Sequence, residues 1–198
     1  MKRLLAATFA AGAMLAPGAA FAHPGLDHIH GVASGFVHPF GGIDHVLAMV
    51  AVGVFAAQLG GRAIWLVPLA FVGTMAAAGA LGMAGYSIPY VETGIALSVL
   101  AIGAAIALRL HVPTMAAMAA AGLFAIFHGQ AHGAEMPPSL SGLAYGLGFV
   151  AATSLLHGIG IGGFTLIARP QSQAGSIAVR LIGAAAAFAG VMMLVRAA

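Results

Sequence analysis

Between Arg62 and Glu92, and again between Glu135 and Arg169, the chain carries no Asp, Glu, Lys or Arg. Runs of that length cannot supply the wetted surface of a soluble domain. They are long enough to cross the roughly 30 Å of bilayer hydrocarbon, which takes about 20 residues of helix. The rest of the sequence agrees: 62% of its 198 residues are hydrophobic, 6% are charged, and the mean hydropathy is +1.06. An ordinary soluble domain carries about 25% charged residues. Backbone polar groups in lipid must be satisfied within the spanning element, so these runs are expected to be helices. The expected fold class is all-α, a polytopic transmembrane helical bundle.

Gly, Pro and Arg punctuate the apolar runs so as to predict six spans, near 37–59, 64–84, 89–108, 113–132, 141–167 and 176–196. Abundant Ala and Gly suit close backbone approach between such helices. The linkers leave no room for a further soluble domain, so residues 23–198 are read as one bundle. Residues 1–22 read as a secretory signal peptide, with Lys2 and Arg3 as the charged region, Leu4 to Leu15 as the apolar stretch and Ala20-Phe21-Ala22 as an A-x-A cleavage signature. The competing reading is an uncleaved first helix, broken early by Pro17 and Gly18.

Arginine sets the orientation. Arg62, Arg109 and Arg169 occupy alternate linkers and Arg180 lies near the start of the sixth span, so the positive-inside rule makes that side cytoplasmic. Arg196, at the far end, runs against the pattern. A cleaved signal delivers the N-terminus outside, and six spans return the C-terminus there. The expected location is therefore a bacterial inner membrane, multi-pass, with both termini periplasmic and the lipid bilayer as partner.

Several functions are excluded on composition. The net charge of +3 and pI near 10 come from scattered arginines, and without a basic cluster there is no nucleic-acid footprint. Cysteine is absent, which removes disulfides, thiolate metal sites and a Cys nucleophile. No lysine follows Lys2 and no G-x-x-x-x-G-K-[ST] pattern exists, so the chain binds no ATP itself.

Placed on these spans, the ionisable residues gather at the outer side. His38, Asp44 and His45 fall at the outer end of span one, Glu92 opens span three, and His128, His132 and Glu135 lie at the outer end of span four and just beyond. His111 alone is cytoplasmic. A buried carboxylate costs several kcal/mol unless it pairs, binds an ion or meets water. With no lysine after Lys2 and the linker arginines at the opposite face, a bound cation is the natural counter-charge. His128 and His132, at i and i+4, project from one helical face. Glu135 stays on that face if the helix continues past Gly133, where the negative end of the helix dipole also favours a cation. In His38-Pro39-Phe40-Gly41-Gly42-Ile43-Asp44-His45, Pro and two glycines break the helix ahead of its polar pair, as at ion sites of broken membrane helices.

Secondary candidates for metal contact are His23, His28 and His30 in a short outer segment with Asp27, Met49 one turn after His45, and His157 deep in span five. Each has a plain alternative: a solvated tail for the first group, core packing for Met49 and for His157.

These motifs resemble the HPFxGxDH and FHGxAHGxE signatures of the HupE/UreJ family of nickel/cobalt permeases, here as His38 to His45 and as Phe127-His128-Gly129-Gln130-Ala131-His132-Gly133-Ala134-Glu135. Ala57-Gln58-Leu59-Gly60-Gly61-Arg62 is also similar, and the resemblance covers essentially the whole mature chain. It implies a small permease, not an enzyme, importing Ni²⁺ and in some members Co²⁺ for hydrogenase or urease. The metal is then the transported substrate, with no permanently bound cofactor. It implies metal handling at His38, Asp44, His45, Glu92, His128, His132 and Glu135. Imidazole and carboxylate suit Ni²⁺, Co²⁺, Zn²⁺ and Cu²⁺ alike. The same residues would also serve an intramembrane metalloenzyme with tightly bound Zn or Fe, or a periplasm-facing metal sensor.

Overall fold

The computed structural model describes residues 27–137, 139–168 and 173–197. The expected signal peptide and His23 lie outside them. Among the described residues the fold is all-helical: α1 (Asp27–Val37), α2 (Ile43–Leu59), α3 (Ala63–Met83), α4 (Val91–Ala107), α5 (Thr114–Ala134), α6 (Gly142–Ile167) and α7 (Gln173–Ala197). Four of these, α3, α5, α6 and α7, are long and apolar enough to cross a membrane singly. The segments on either side of Gly42 qualify together but are bent by 88°, and α4 is a shorter apolar helix. Large apolar side chains such as Trp65, Leu69, Leu123, Leu166 and Phe188 face outward, as a lipid-facing surface requires.

The first span differs from the expectation of one helix near 37–59. Residues His38–Gly41 form a 3-10 turn with buried Pro39, and α2 begins only at Ile43. Proline disfavours the α conformation in the residue before it and donates no hydrogen bond of its own, so α1 ends at Val37 and the chain turns sharply. α1 packs on α6, where Gly35 lies against the Tyr145 carbonyl and Gly148 against the Val32 carbonyl.

The other helices pair by the same device. On α3 and α5, a side chain at Gly129 would strike the Met75 carbonyl, and one at Gly133 the Gly79 carbonyl. On α2 and α6, Gly53 meets the His157 carbonyl and Gly160 the Val50 carbonyl. On α4 and α7, a Cβ at Gly103 would lie 2.5 Å from the Ala187 nitrogen, and one at Gly183 2.5 Å from the Ala107 nitrogen. Small-residue contacts of this kind allow close dispersion packing where lipid offers no hydrophobic drive for helix association.

Side-chain hydrogen bonds tie the two ends. At one end Gln58 donates to the carbonyls of Ala105 (3.3 Å) and Leu110 (3.2 Å), and Arg109 donates to Ser176 Oγ at 3.2 Å. Exposed His111 bonds the Arg109 carbonyl at this same end. Gly60 and Gly61, with φ of 72° and 51°, turn the chain from α2 into α3 there, a conformation that other residues adopt at a steric cost. The opposite end carries the polar motifs. Between the two lies an apolar core that includes Met49, Val52, Phe55, Val67, Phe71, Ile106 and Val179.

The packing gives a test remote from the polar end. Gly183→Val forces Cβ into the α4 backbone and should cost about 1–3 kcal/mol as overpacking does, whereas Gly73→Ala, with nothing within 4 Å of its Cβ, should be neutral. Thermal unfolding midpoints of the purified variants in detergent check both expectations.

Candidate metal centre

The 88° bend has a direct consequence for geometry. On a continuous helix His38 and His45 would stand about 10 Å apart along the axis at 1.5 Å per residue. In the bent chain both rings contact His132, at centroid separations of 4.9 Å and 4.1 Å. His45 also meets His128 edge-on at 5.0 Å. The HPFGGIDH and FHGQAHGAE segments, on α1–α2 and on α5, thus form one cluster with His132 at its centre.

The cluster has a rim and an interior. At the rim, His38 Nε2 lies 3.0 Å from Glu135 Oε2, and one ligand atom from each of His38, His132 and Glu135 falls within 4.8 Å of the others. The Glu135 side chain is 55% exposed. Glu135 caps α5, which runs to Ala134, so the helix does continue past Gly133. Its carboxylate therefore sits at the negative end of the helix dipole, a position that favours cations and disfavours anions.

Inside, exposure falls to 8% at His45, 3% at His132 and 0% at His128. Asp44 Oδ1 and His45 Nδ1 are 3.0 Å apart. An ionised carboxylate only accepts, so the imidazole Nδ1–H donates and Nε2 keeps its lone pair. That His45 Nε2 has no protein partner, nor do His128 Nδ1 and either nitrogen of His132. Buried polar atoms without partners are rare in proteins and point to a role or a missing ligand. Gly42 makes the Asp44–His45 pair possible, because a Cβ there would lie 2.6 Å from Asp44 Oδ1 and 2.9 Å from His45 Nδ1. The donor set, imidazole nitrogen with carboxylate oxygen, suits first-row divalent ions.

The remaining candidates fall elsewhere. Glu92 is exposed and does not join the histidines. It lines a separate cavity of about 330 Å³ with Asp44 and Arg196. Arg196, the arginine that runs against the pattern of the others, is brought to this polar end by the C-terminal end of α7. His157 is buried, with both nitrogens unpartnered, and is separated from His128 by the ring of Phe71, whose centroid lies 5.5 Å from His128 and 5.1 Å from His157. Met49 is fully buried in the apolar core. For His28 and His30 only the helical backbone of α1 is described.

Four residues escaped the sequence reading. Ser98 on α4 touches His128, with Oγ 2.9 Å from Nε2. Phe149 packs on His132 at 4.1 Å, Tyr145 stacks on Phe149 and meets His38 edge-on, and Phe71 closes the inner side. Ser98 left a signal, as the one hydroxyl in α4 after Thr93. The aromatic residues left none, since they resemble core.

Comparison with known proteins agrees with the motifs. Residues 11–193 match the family described as HupE / UreJ protein. Protein HupE of Rhizobium leguminosarum bv. viciae is 46% identical over 183 residues, covering 92% of this chain and 94% of that protein. No solved structure matches the chain. The two signature segments that converge on His132 lie within the matched region, and the chain belongs to the HupE/UreJ family.

Proposed function

We propose that the chain is an inner-membrane permease that carries Ni²⁺, and Co²⁺ as a second substrate, from periplasm to cytoplasm to metallate hydrogenase or urease. The observation that carries this reading is the file of imidazoles running inward from the half-exposed rim at His38 and Glu135 through His132 to His45 and His128, with unpartnered buried nitrogens along it. Membership of a family associated with nickel and cobalt transport supports the choice of ion.

The rim offers mixed nitrogen and oxygen ligands to a hydrated ion, replacing part of its water shell. The ion then moves inward by exchanging one imidazole for the next. Transport needs sites that bind well enough to load and weakly enough to release. Glu92 and Asp44 draw cations toward the mouth, and His157 receives the ion beyond Phe71. Six crossings follow if the bent α1–α2 pair and α4 each span, with α4 packed along the longer α7. A cleaved signal then leaves both termini periplasmic and puts the Arg62 and Arg109 end in the cytoplasm, in keeping with the positive-inside rule.

The decisive experiment is uptake of radioactive Ni²⁺ by proteoliposomes containing the native chain or His38→Ala, Asp44→Ala or His132→Ala. Each substitution should reduce the rate at least about tenfold, the scale on which lost ligands or their hydrogen-bond partners act. Native rates in all three would sink the site assignment. No uptake by the native chain, with stoichiometric metal retained after purification, would favour a metalloenzyme or a sensor.

One further outcome follows. Gly42→Ala should displace the Asp44–His45 pair and slow uptake severalfold while leaving thermal stability near native.

A further inference from the structure

We propose that Ser98 is a positioning residue that fixes His128 as its Nε2–H tautomer and so presents Nδ1 as the nitrogen that binds metal. The metal role rests on the permease reading above; the tautomer does not.

The inference comes from counting protons. Ser98 is fully buried on α4, and its Oγ makes two short contacts, 2.6 Å to the Ile95 carbonyl oxygen and 2.9 Å to His128 Nε2. A hydroxyl has one proton to give and lone pairs with which to accept. The Ile95 carbonyl can only accept, and two oxygens at 2.6 Å require a proton between them. The Ser98 proton is therefore committed to Ile95, and Oγ must accept from His128. The donor is then the imidazole Nε2–H, and neutral His128 carries its lone pair on Nδ1. That atom is buried and has no protein partner.

The consequence concerns order and orientation. A free imidazole exchanges between two tautomers and presents a lone pair from either edge. Here α4 holds one edge of His128 while the ring stands among His45 and Phe71. Metal-binding histidines in general have their second nitrogen held by a hydrogen-bond partner, and losing that partner costs about 10–100-fold in affinity or activity. Asp44 holds His45 through Nδ1 in the same way, leaving Nε2. The two neighbouring imidazoles therefore offer opposite nitrogens, His45 through Nε2 and His128 through Nδ1. His132 has neither nitrogen held by a protein hydrogen bond and remains the adaptable member.

Solution or solid-state NMR of the full chain with ¹⁵N-labelled histidine, free of metal, tests this directly. The His128 signals are identified as those missing from His128→Gln. The native chain should show one tautomer at His128, with Nε2 protonated and Nδ1 bare, and Ser98→Ala should show exchange between tautomers or the reverse form. Added nickel chloride should shift Nδ1 of His128, with an affinity about tenfold weaker in Ser98→Ala and restored to within about threefold in Ser98→Thr, which keeps the hydroxyl. A native His128 protonated on Nδ1 would overturn the assignment, as would a Ser98→Ala chain with native tautomer and native affinity. If Ser98→Ala does not fold, the native tautomer and the Thr variant still decide. Native protein that shows the Nε2–H tautomer but neither binds nor transports Ni²⁺ would overturn the permease reading and the metal role of Nδ1 together, leaving only Ser98's hold on the ring.

Discussion

Backbone contact through glycine is the constraint on which the rest of this structure depends. Within a bilayer, helix association draws on close packing rather than on escape from water, and helices approach most closely where neither carries a side chain. Gly129 and Gly133 seat α5 on α3, and they also flank His132 in sequence. The residues that bring the helices together are therefore interleaved with those that project into the cluster. Gly53 and Gly160 do the same for α2 and α6, where the carbonyl that meets Gly53 belongs to His157. Architecture and site are written in the same short segments.

That interleaving explains how histidines without hydrogen-bond partners are tolerated. A buried, unsatisfied polar nitrogen costs about 1–3 kcal/mol, and four such atoms occur on His45, His128 and His132. The glycine contacts hold the helices in register independently of the imidazoles, and the aromatic rings of Phe71 and Phe149 fill the space beside them. Under the permease proposal a bound ion would offset the unmatched lone pairs, and the polar end would be an incomplete coordination sphere built into a complete scaffold.

Much of this was legible in the sequence. Uncharged runs announced helices, the spacing of His128 and His132 put both on one face, and Pro39 with Gly41 and Gly42 marked a break. The size of the bend was not legible, because Pro and Gly say that a helix stops but not where the chain goes next. For that reason a single first span was expected where α1 and α2 stand nearly at right angles. Glu92 shows the other limit. Its position at the outer end of α4 follows from sequence, but its separation from the histidines depends on how α4 lies along α7. The reach of Arg196 to the same cavity has the same cause. Aromatic neighbours of the imidazoles were invisible, since an apolar ring beside a ligand and one in the core obey the same pattern.

Under the permease proposal the division of the cluster into rim and interior would set a filter by donor type. At the rim an arriving ion would meet the carboxylate of Glu135 together with imidazole, and further in the unpartnered imidazole nitrogens of His45, His128 and His132. Magnesium and calcium hold to oxygen ligands and would gain little by leaving the rim. An ion that accepts imidazole readily would gain a ligand at each step inward. Discrimination against the most abundant divalent ions would then need no cavity of exact size, only a gradient in the chemistry of the atoms that line the way.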